Sequence, residues 1–62
     1  MDMQEMQIHE YAQALLNAHG DKAVAEAARR AREFEQKGDE EQSAVWRHIE
    51  GALKELRGPH AS

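Results

Sequence analysis

Four histidines, His9, His19, His48 and His60, carry the widest chemical reach in this chain. Neutral imidazole ligates metals, and its proton exchanges near neutral pH. A metal centre needs two or three such ligands converging at compatible spacing. His9 and Glu5 stand four residues apart, which places them on one face of a helix. The metalloprotease pattern, two histidines at i, i+4 around a glutamate, is absent, because His9-Glu10 leads to Ala12 and Gln13. His19 falls where a helix is expected to end, and the helix dipole favours imidazolium there. His60 belongs to a short C-terminal tail. These histidines read as solvated or capping groups. The alternative is a small-ligand or metal-binding protein built around His9 or His48.

Nucleophilic chemistry has little to draw on. The serines are Ser43 and Ser62, and there is no threonine or cysteine. Ser43 falls in the first turn of a predicted helix, where a small polar residue needs no functional reason. Glu40 and Glu41 stand at a helix start, which the dipole explains, so they do not read as a facing catalytic pair. The expectation is a non-enzyme with no catalytic residue, cofactor or metal centre. The basic cluster Arg29, Arg30 and Arg32 is the best phosphate-binding candidate. It is interleaved with Glu26, Glu33 and Glu35, the pattern of an ion-paired surface. A helix-turn-helix reading would send Asp39-Glu40-Glu41-Gln42 into the DNA groove, where phosphates repel acids.

The elements that must position these groups are three helices, expected near residues 3–19, 22–37 and 40–57. Asp2 and Glu5 form a capping box at the first start, and Ile8, Tyr11, Ala12, Leu15 and Ala18 make its apolar stripe. Gly20 suits the left-handed stop, and Asp21 is the next N-cap candidate. The second stripe is Val24, Ala27, Ala28, Ala31 and Phe34. Its opposite face offers Glu26–Arg30, Arg29–Glu33 and Glu33–Lys37 pairs at i, i+4. Lys37-Gly38 ends it, and Asp39 with Gln42 makes a second capping box. The third stripe is Val45, Trp46, Ile49, Ala52, Leu53 and Leu56, closed by Arg57-Gly58-Pro59. Both connections are very short, so sequential helices should form antiparallel hairpins in a three-helix bundle or an open array. The fold class is all-α in one domain.

Composition narrows the partners. Lys and Arg number 8 against 12 Asp and Glu, a net charge of −4, which disfavours nucleic acid. The apolar runs are a few residues long, too short to span a bilayer. The N-terminus carries an acid where a secretory signal carries positive charge, and cysteine is absent, so a reducing cytoplasm is the expected setting. A chain of 62 residues buries only about 60% of the surface its unfolded form exposes. Its expected interior is Ile8, Tyr11, Leu15, Val24, Phe34, Val45, Ile49, Leu53 and Leu56 with alanines. Met3, Met6, Leu16 and Trp46 flank the stripes: either they complete a single core or they lie together as an apolar surface patch, and Trp46 suits core and interface equally. Gly51, inside the third helix, costs about 1 kcal/mol relative to alanine, which either close approach of another helix or unselected drift would explain. These features favour a protein–protein interaction module, a homo-oligomer or a chain that docks on a protein partner.

The span Ala23 to Leu56 resembles a tetratricopeptide hairpin in outline: helix, Lys37-Gly38-Asp39 turn, and a helix ending Ala52-Leu53. It lacks that family's large aromatic and Leu-Gly positions in the first helix, so the likeness extends to hairpin geometry alone. The run Trp46-Arg47-His48-Ile49, with Ala52-Leu53 and Leu56-Arg57-Gly58-Pro59-His60, is similar to the ending of short proteobacterial helical proteins of unassigned activity. That resemblance implies a bacterial cytoplasmic setting and supplies no site residues.

Overall fold

The computed structural model describes residues 5–58, with side chains from residue 7 onward. Three helices follow one another: α1 (Glu5–His19), α2 (Lys22–Lys37) and α3 (Glu40–Arg57). α1 and α2 each end at a glycine of positive φ, and α3 begins directly after Asp39. Asp2 and Met3 lie outside the described residues, as do Pro59, His60 and the side chains of Glu5 and Met6.

The two connections use different stops. Gly20 adopts φ 61°, and its N–H donates to the Leu16 carbonyl at 2.7 Å, a left-handed cap with a single 5→1 bond. Gly38 adopts φ 80°. Its N–H reaches the Glu35 carbonyl at 3.1 Å, and the Asp39 N–H reaches Phe34 at 2.9 Å. That double closure is a Schellman motif.

The capping expectation holds at Asp39 and fails at Asp21. Asp39 leaves the helical region, and its carboxylate accepts from the Gln42 N–H at 3.1 Å. The other half of the expected box is not needed, because the Asp39 N–H is already spent on closing α2. Asp21 sits at φ −62°, ψ −19°, already helical, and its side chain accepts no capping bond. A residue with helical dihedrals cannot fold its side chain back over the first turn. The Gly20 carbonyl starts α2 instead, accepting from the Ala23 N–H at 3.0 Å.

The interior is built largely from alanine. Ala23, Ala27 and Ala31 repeat every four residues along α2 and are fully covered, as is Ala12 of α1. Ile8, Ile49, Ala52 and Leu53 join them in the buried apolar set, and of the large side chains among the described residues only Ile49 and Leu53 are fully enclosed. The buried stripe of α2 therefore starts at Ala23, one residue before the expected Val24. Val24, Ala28 and Phe34 flank it, half-buried. Methyl groups let the helix axes come close, and the larger neighbours then wrap the seam from its edges. Tyr11 and Leu56, expected inside, are 42% and 36% exposed. Ala18 is also exposed. An interior this narrow has no room for the bulk of Tyr11 and Leu56.

α2 and α3 share the most extensive interface, α1 packs chiefly on α3, and α1 touches α2 least. Arg47 of α3 clamps the first pair, reaching Glu35 of α2 at 3.1 Å and Glu50 of its own helix at 3.0 Å. Those two carboxylates, Glu50 before Glu35, raise the Arg47 guanidinium above its ordinary pKa. α1 meets α3 from both flanks, through His9 near Glu55 and through Tyr11 against Trp46. Positions two apart lie on opposite sides of a helix, and their contacts fall nine residues apart on α3, so α1 crosses α3 obliquely. No described helix is long and apolar enough to cross a membrane.

Candidate functional site

Two surface features gather the chemically interesting side chains. The first centres on Trp46. Its ring packs against the core from α3, half-buried. The Tyr11 ring meets it edge-on, centroids 5.7 Å apart at 74°. The Arg30 guanidinium lies 5.5 Å from the ring centroid. Edge-to-face rings and a cation over an indole face are each favourable by electrostatics of the ring quadrupole. One indole thus joins all three helices. Trp46 serves the core and keeps one edge at the surface.

The arginine cluster beside it is held by carboxylates. Glu26 accepts from Arg29 at 2.8 Å and from Arg30 at 3.1 Å. These bonds, Arg29 first, keep the Glu26 carboxyl below its ordinary pKa. Glu26 in turn raises Arg29, which also reaches Glu33 at 3.2 Å. The expected Glu33–Lys37 pair is not formed. Glu33 is engaged by Arg29, and the Lys37 ammonium lies 5.6 Å from the Phe34 ring centroid.

The second feature is an open groove of about 210 Å³ between α1 and α3. Ile8 and Ala52 give it an apolar floor, and His9, His48 and Glu55 stand around it with Gly51. His9 Nε2 lies 3.7 Å from Glu55 Oε1, and the Glu55 side chain is 78% exposed. A Cβ placed on Gly51 would meet no atom within 4 Å. Among the described residues no helix needs that glycine for close approach.

Comparison with protein-family models, curated proteins and solved structures finds no match. Function therefore rests on the chemistry of the surface itself.

Each residue singled out in the sequence has a definite place. Leu16 is half-buried and packs on the core beside Trp46, so neither is a free apolar knob. Met3 and the Met6 side chain lie outside the described residues. Ser43 is buried, and its hydroxyl donates to the Glu40 carbonyl at 2.9 Å, a local bond of the first turn of α3. His19 is exposed at the end of α1. His9 and His48, treated separately in the sequence, come together at the groove. Among the described residues no three His, Asp or Glu side chains are grouped to hold a metal ion. One signal for the groove was present in the sequence: His48, Gly51, Ala52 and Glu55 are spaced i, i+3, i+4, i+7. The α1 wall was not legible, because it depends on how α1 crosses α3.

Proposed function

We infer that the chain is a non-catalytic protein–protein interaction module that self-associates or docks on a larger protein. The carrying observation is the shortage of enclosed large side chains: among the described residues, Ile49 and Leu53 are the large ones fully buried. Leu15, Leu16, Val24, Val45 and Trp46 cover the core while keeping part of their own surface in water. Tyr11 and Leu56 project further still. A domain this small sits near balance between apolar burial and ordering cost. Covering the remaining apolar surface with a second molecule adds about 25 cal/mol per Å² removed from water.

The test is molar mass by sedimentation equilibrium across a concentration series, with melting temperature followed in parallel. Association predicts mass and melting temperature rising together with concentration. Constant monomer mass, combined with no change of either quantity on adding candidate protein partners, would remove this reading.

A further inference from the structure

We propose that the groove face of α3 is a two-fold self-association surface, with α3 of a second copy crossing it antiparallel at Gly51–Ala52. The proposal rests on the self-association arm of the function inferred above. It deepens that reading by naming the partner and the contact.

Three observations converge. Gly51 lies inside α3 over open space, where alanine would fit without a clash and favour the helix. Nothing among the described residues of the chain itself uses the missing side chain. A second helix axis would, because interaxial distance is set by the side chains at the crossing point. Next, the face is self-complementary. His48 stands three residues before Gly51, and Glu55 stands three residues after Ala52. An antiparallel two-fold mate centred on the Gly51–Ala52 peptide sets each His48 beside the partner's Glu55, twice over. No other placement of an identical helix gives both pairs at once with the smallest residues at the centre. Finally, the surroundings are ready for it. Ala44, one turn before His48, is small and exposed, and Leu56, one turn after Ala52, is an exposed large apolar side chain. Glu55 meets its own His9 at 3.7 Å and still presents most of its surface to water, leaving room for a second imidazole.

A second copy fits better than an unrelated acidic or basic partner, because α3 carries His48 and Glu55 of this face at equal distance from a centre, with His9 of α1 beside Glu55. Its occupancy also accounts for the stability that Gly51 forgoes.

Sedimentation equilibrium on the full chain separates the outcomes. Gly51→Ala should raise the melting temperature of the dilute monomer while weakening the dimer several-fold. Gly51→Leu should weaken it by at least about 30-fold, with helicity by circular dichroism unchanged. His48→Glu sets like charges together at both ends and should weaken the dimer by about five- to tenfold. The exchanged double variant, His48→Glu with Glu55→His, should recover most of that loss. Wild-type association that none of these variants alters overturns the proposed surface and leaves the interaction module standing. A wild type that stays monomeric throughout overturns the surface and self-association together, leaving only docking on another protein. Failure of the exchanged variant to recover, with Gly51→Leu still disruptive, overturns the antiparallel register.

Discussion

Replacing Asp39 by alanine should destabilise the protein, and replacing Asp21 by alanine should hardly do so. The two aspartates hold the same topological place, directly after a helix-ending glycine. Only Asp39 leaves the helical region and accepts a bond from the next helix, Gln42 N–H at 3.1 Å. Losing an N-cap side chain costs roughly 1 kcal/mol, within a range of about 0.5–2. Asp21 makes no such bond, and alanine suits its helical dihedrals. What it loses is a favourable charge near the N-terminus of α2, about 0.3–1 kcal/mol, partly offset by better helix propensity. The net expectation is below about 0.5 kcal/mol. The difference is roughly 1 kcal/mol, or about 4–8 °C in a domain of this size. Urea denaturation followed by circular dichroism measures it, at a concentration where mass is constant. Asp39→Asn should retain most of the stability, since an amide oxygen also caps. Equal losses at Asp21 and Asp39 would refute the assignment of the cap to side-chain geometry, leaving only charge.

Trp46→Ala should cost about 2–4 kcal/mol, because a half-buried indole holding Tyr11 and Arg30 is removed from the junction of three helices. Denaturant midpoints measure this, and Trp46→Phe should lose much less. Ala27→Leu should destabilise by about 1–3 kcal/mol, since its methyl is fully covered and a larger side chain must part the helices; the same assay decides. Glu26 has a folded pKa below its unfolded value, so its bonds to Arg29 and Arg30 stabilise the fold above the unfolded pKa. That contribution is lost as pH falls through the lowered folded value. Glu26→Gln should therefore show a shallower loss of stability in that acid window, and carboxyl carbon NMR of the wild type should titrate below an unfolded reference.

Fold class was legible because the stops at Gly20 and Gly38, the start at Asp39 and the apolar spacing point the same way. Asp39 and Gly38 behave as their types suggest. Asp21 does not, because its conformation is set by the turn that Gly20 makes, and residue type alone does not report dihedrals. In α2 the sequence placed Ala27 and Ala31 correctly and missed only the start of the buried stripe, at Ala23. Val24 is the more hydrophobic side chain, but Ala23 is the one small enough for the closest seam. Tyr11 and Leu56 fit their periodic stripes and still lie outside, since periodicity gives a face and not the depth available beneath it. Trp46, which the sequence left between core and surface, touches both. The groove escaped because α1 contacts α3 across the chain, and no local pattern in α1 specifies that crossing. Gly51 was the visible clue, and its open surroundings turn the suspected close approach toward a contact between molecules.

The alanine seam has a consequence for how definite this small fold is. Ordering a buried alanine side chain costs no rotamer entropy, whereas a buried leucine or isoleucine forfeits about 0.5–1 kcal/mol. Ala12, Ala23 and Ala27 in the core, and Ala31 covered beyond it, are therefore groups that have nothing to freeze. The yield of each methyl is small, but so is the disorder surrendered to place it. A chain with few large side chains to enclose reaches a single arrangement by bringing its backbones together, with few side-chain conformers left to sort.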